Sequence, residues 1–168
     1  MDKRALQLKK NYSSREVAAR TGLSARQLQW WDSHRVLHPA IAPRRTNAGG
    51  FTERRYSPID LYELLVLGDL RRRGFSVHKI RLLLNTLRDH FGVRLFDAIG
   101  GGGPVTLLTD GRQIYARTTT GAFFNVLQAP DQPLLVIGDE NRFKVLSSRL
   151  RSRKRRQKPG GKRKQKRH

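Results

Sequence analysis

The chain has no cysteine, so disulfides, thiolate metal sites and a thiol nucleophile are excluded from the outset. No apolar run approaches the roughly 20 residues that span a bilayer. The opening, MDKRALQLKK, is basic but lacks the apolar stretch of a signal peptide. Acidic residues are also scarce: 13 Asp and Glu stand against 35 Lys and Arg in 168 residues, a formal charge of +22. A charge of that size calls for a polyanion or an anionic surface, with nucleic acid ahead of an acidic membrane.

The charge is unevenly placed. Residues 142–168 hold 14 basic and no acidic groups, and residues 1–91 hold 18 basic and 8 acidic. Residues 92–141 hold 3 basic and 5 acidic. Two cationic ends thus flank a nearly neutral middle.

Residues 1–11 read as a basic arm. Ser13 or Ser14 caps a short helix over 15–20, Gly22 supplies a turn, and Ser24 caps a second helix over 25–33. Helix, short Gly-containing turn, helix is the spacing of a helix-turn-helix. Residues 34–56 carry Pro39, Pro43, Gly49 and Gly50, with Arg44, Arg45, Arg54 and Arg55 around Phe51 and Tyr56. That is the texture of a short basic hairpin or wing. Ser57 and Pro58 start a third helix, which Gly74 ends. Ser76 caps a fourth, whose Ile80, Leu83, Leu84, Leu87 and Phe91 form an apolar face.

Beyond Gly92 the run of four glycines at 100–103 reads as a linker. It is no phosphate loop, because no Lys-Ser or Lys-Thr follows and a strand comes next. Asp110 and Gly111 sit between VTLLT and RQIYART, a hairpin signal. Thr120 and Gly121 turn into a strand over 123–127, and Pro130 to Pro133 lead to another over 134–137. Three or four short strands need a helix or a second copy of the chain over them. Residues 141–150 read as a terminal helix, and the basic tail after them as disordered.

The segments YSSREVAARTGLSARQLQWWDSHRVLHP and GGFTERRYSPIDLYELLVLGDLRRRGFSVHKIRLLL resemble the MerR family of bacterial transcription regulators over residues 12–87. The family's order is a Tyr, a helix, a Gly turn, Arg-x-Leu-Arg-Tyr-Tyr-Asp, a Leu-x-Pro, then a Gly-Tyr-Arg-x-Tyr wing. Here Gln29 replaces the second Arg, Trp30 and Trp31 replace the tyrosines, and Thr52 and Glu53 extend the wing. The glycines beyond position 91 forbid the long dimerisation helix of typical members. The segments LLTDGRQIYARTTTG and DQPLLVI are similar to the small domain of MerR-like actinobacterial regulators.

The resemblance implies an α+β chain: a winged helix-turn-helix at 12–91, a Gly-rich linker at 92–104, a small β-rich module at 105–150 and a basic tail at 151–168. The expected DNA-binding set is Ser24, Arg26, Gln27, Gln29, Trp31, Arg44, Arg45, Arg54, Arg55 and Tyr56. Arg suits guanine O6/N7 and Gln suits adenine N6/N7. A solvated helix face is the plain alternative for Arg26, Gln27 and Gln29. Trp30 is expected in the core and Trp31 at the DNA-facing rim. Arg71, Arg72 and Arg73 are candidates for phosphate contact or for partners of a helix C-terminus.

No catalytic grouping emerges, no cofactor is expected, and the His34/His38 pair is a poor metal site beside Pro39. The expected partners are double-stranded DNA and a second copy of the chain, without a membrane, in the bacterial cytoplasm at the nucleoid. Two other readings stay open. One is a nucleoid-type architectural binder ruled by its tail. The other is an antitoxin-like module that holds a partner protein on its sheet.

Overall fold

A computed structural model of the chain describes residues 8–47, 52–100, 102–135, 137 and 141–156. Its described elements are five α-helices, one 3-10 helix and two antiparallel sheets, an α+β architecture.

Four helices begin on a serine. α1 (Ser14–Thr21) is capped by Ser13, α2 (Ala25–Ser33) by Ser24, α3 (Pro58–Arg72) by Ser57 and α4 (Val77–Asp89) by Ser76. In the first three, residue N3 (Glu16, Gln27 or Asp60) returns a bond to the cap's own N–H. Each reciprocal pair satisfies two of the orphan donors at a helix start. Gly22, at φ +73°, ends α1 in the left-handed conformation that a glycine takes without strain. Gly68 serves differently: a Cβ there would lie 2.7 Å from the Thr21 carbonyl, so its bareness lets α3 close on the end of α1.

The first sheet joins β1 (Tyr12–Ser13), β3 (Thr52–Tyr56) and β2 (Ile41–Arg45) in the order β1-β3-β2. Tyr12 pairs with Tyr56 across it, and both are buried. β2 and β3 pair antiparallel in the segment where a basic hairpin or wing is expected. The second sheet runs β4 (Val105–Thr109), β5 (Ile114–Thr118), β6 (Phe123–Asn125) and β7 (Ala129–Leu134) in sequence order. Asp110 accepts bonds from the backbone N–H groups of Arg112 and Gln113, which closes the β4–β5 turn.

Three details differ from the sequence reading. The last strand is Ala129–Leu134, so Pro130 and Pro133 lie inside it rather than before it. An edge strand tolerates both, because one side of its ladder needs no donor. The expected linker is partly structured: Leu95–Ala98 forms a 3-10 helix whose Leu95 and Ala98 are buried. The terminal helix α5 runs Asn141–Arg156, past the expected end at 150, and exposes Val145, Leu146 and Leu150. The rest of the tail, 157–168, lies outside the described residues.

Residues up to Leu134 form one compact unit, and Leu135 onward forms a second. In the first, one apolar core runs from Val17, Leu28 and Trp31 through Leu64, Leu83 and Leu87 to Val105, Ile114 and Val126. A helix therefore covers the sheet. The Thr86 hydroxyl of α4 donates to the Val126 carbonyl, and the rings of Phe91 and Phe124 meet edge to face.

Candidate nucleic-acid interface

Helix α2 presents a polar front. Ser24, Arg26, Gln27 and Gln29 are all exposed, while Leu28 and Trp31 point into the core. The Gln27 side-chain carbonyl oxygen accepts from the Ser24 N–H at 2.7 Å, which fixes the side chain at the helix start and leaves its NH2 group without a partner among the described residues. Arg26 has no hydrogen bond or ion pair among the described residues. Arg26 and Gln29, three residues apart, share the exposed face of the helix with Gln27 beside them, and such donors can reach base edges in a major groove.

The tryptophans are reversed from expectation. Trp31 is only 2% exposed, whereas Trp30 is 41% exposed. The reason is helical spacing. Leu28 and Trp31 are three residues apart and share the inward stripe, which turns Trp30 out. Trp31 is therefore a core residue and not a DNA-facing one. Trp30 stacks on His34 with ring centroids 4.0 Å apart, and the guanidinium carbon of Arg81 on α4 lies 6.0 Å from the centroid of the Trp30 ring. Trp30 is the outward aromatic that sequence reasoning missed, although the spacing from Leu28 carried the signal.

The β2–β3 hairpin divides into free and tied arginines. Arg44 and Arg45 on β2 are exposed and show no ion pair among the described residues. Arg54 on β3 bonds to Asp32 near the end of α2, and His38 takes the other Asp32 oxygen. Burial opposes the charge on Asp32, but the bonds from Arg54 and His38 outweigh it and hold the carboxyl below its usual range. Arg55 pairs with Glu53 at 2.9 Å and bonds to Asn11 at 3.2 Å. Tyr56, expected at the interface, is 1% exposed, and burial pushes its phenol up. Its pairing with Tyr12 faces it into the core, so it is removed from the contact set.

Other cations are also occupied. Arg71 donates to the Phe75 carbonyl, Arg72 to the Thr21 carbonyl, and Arg73 to Asp69. All three thus work inside the fold at the end of α3. His38 is held by Asp32, and no cluster of three or more His, Cys, Asp or Glu among the described residues could hold a metal ion. No helix among the described residues is long and apolar enough to cross a membrane.

A second charged cluster lies behind the wing. Asp60 and Glu63 are buried, and Arg94 spans them, bidentate to Glu63 at 2.8 and 2.7 Å and 3.4 Å from Asp60. Asp60 also accepts from the N–H groups of Ala40 and Ser57, which flank the wing, and Glu63 accepts from that of Phe96. The cluster joins both ends of the wing to the 3-10 helix.

Residues 12–87 match the family described as MerR HTH family regulatory protein. Uncharacterized HTH-type transcriptional regulators of Mycobacterium bovis and of Mycobacterium tuberculosis are each 31% identical to this chain over 107 residues. That match covers 64% of this chain but only 43% of each relative. No solved structure matches the chain.

Proposed function

Because residues 12–87 are a MerR-type helix-turn-helix domain, we propose that the protein is a sequence-specific DNA-binding transcription regulator. The observation that carries the reading is the front of α2. It holds an unpaired Arg26 beside exposed Gln27 and Gln29, behind a capped helix start and a glycine turn. In this reading α2 enters the major groove, Arg26 and Gln27 read base edges, and Arg44 and Arg45 of the wing meet the flanking phosphates. Arg54 positions the wing on α2 through Asp32. One short helix reads only a few base pairs, so the working form is a homodimer on an inverted repeat.

The basic end favours one second reading. With 14 basic groups in residues 142–168, an architectural binder would draw its affinity from phosphate contacts alone. Both readings meet in one experiment: selection from random duplex DNA at two salt concentrations, using the full chain and a 1–150 truncation. A regulator enriches an inverted repeat with either protein. An architectural binder enriches nothing, and only the full chain binds. If about five tail cations meet phosphates, truncation lowers the log–log salt slope by about 4.5 units.

A further inference from the structure

Between α3, α4, the 3-10 helix and the β4–β5 hairpin lies an open cavity of about 410 Å³. Its wall is apolar, formed by Val66, Leu70, Leu83, Leu95, Ile99 and Leu107 among others, and Leu108 stands at its mouth, 44% exposed. The floor is core, since Leu83, Leu95 and Ile114 are buried. The volume falls in the range of small-molecule sites, which are concave and mostly apolar.

Every polar side chain on the wall already has a partner. Asp69 accepts from Arg73 at 2.7 Å. The Thr109 hydroxyl donates to the Gln113 carbonyl at 2.7 Å and accepts from the Gly111 N–H at 3.0 Å. In a chain of +22, this concavity therefore shows an entrant no unpaired charge. An ion entering it would lose its hydration without gaining a partner, whereas an apolar body loses only its exposure to water.

We propose that this cavity is a binding site for a small, uncharged, apolar molecule of about the bulk of a two- to three-ring aromatic. The rim lies close to the DNA-reading part of the fold: Asp69 also sits 3.6 Å from Arg72, whose guanidinium donates to the Thr21 carbonyl at the turn before α2. The binding proposal itself does not depend on the chain reading DNA.

The test is a fluorescence titration of the full chain with N-phenyl-1-naphthylamine, an uncharged apolar probe. The expected result is saturable binding of one probe per chain, with the same affinity at low and high salt. Leu108→Glu puts a charge at the mouth and Leu108→Trp fills it. Because Leu108 is partly exposed, both variants should keep the parent's unfolding midpoint while weakening the probe by roughly tenfold or more. Absence of saturable binding overturns the proposal. So does binding that neither substitution changes. A stoichiometry that falls as the protein is concentrated also overturns it, because the cavity would then be filled by a second copy.

Discussion

The front of α2 and the strand β3 lie in the same small domain and carry the same kind of residue, yet their arginines do opposite things. Arg26 on α2 is exposed and unpaired among the described residues, whereas Arg54 and Arg55 on β3 are partly buried and held by Asp32, Glu53 and Asn11. An arginine that already has a carboxylate must give it up before it can take a phosphate. Counting basic residues therefore overstates the binding surface. In this fold the tied cations build the shape that presents the free ones.

Arg94 is the extreme of the tied class, and its loss is the strongest way to break the comparison. Arg94→Ala leaves Asp60 and Glu63 buried with their backbone donors but without their cation. Because the Arg94 side chain is itself half exposed, removing it should cost about 2 kcal/mol, less than the figure for a pair buried on both sides. Urea denaturation followed by tryptophan fluorescence should show that loss. A change below about 1 kcal/mol would mean that solvent, not Arg94, carries the two carboxylates.

Arg26→Ala tests the free class. Its side chain supports nothing in the fold, so the unfolding midpoint should stay within about 0.5 kcal/mol of the parent. Affinity for a selected site should fall by about 1–3 kcal/mol, with sequence preference relaxed at one position of each half-site. Equal losses on all sequences would instead make Arg26 a phosphate contact.

The sequence made some of this division readable. Ser24, Ser57 and Ser76 announce their helices because a capping hydroxyl and the residue three on are local chemistry. The basic hairpin between the second and third helices was legible. The partners of its arginines were not, since Asp32 is 22 residues from Arg54 and only the β3 register brings them together. Arg94 was silent for the same reason, lying 31 residues from Glu63. The tryptophans were a failure of a different kind. Position 31 follows Leu28 by three residues, so helical geometry alone assigns it inward. The family pattern pulled it outward, and the local geometry prevailed.

Smaller effects separate positioning from contact within the wing. Arg54→Ala removes the bond to Asp32 but no interaction at the front of α2, so it should cost about 1 kcal/mol of stability. Site affinity should fall less than with Arg26→Ala, and equally on all sequences. The same bond gives a pH signature. Asp32 has its carboxyl held below the usual range, so its contribution to stability is complete above the unfolded carboxylate range, near about 4. It is lost as the pH falls through the lower native value. The parent and Arg54→Ala should therefore differ in unfolding free energy at neutral pH and converge on acidification below about pH 4. A difference that stays constant through that range would show that Arg54 acts through packing of its stem over the strand, and not through Asp32.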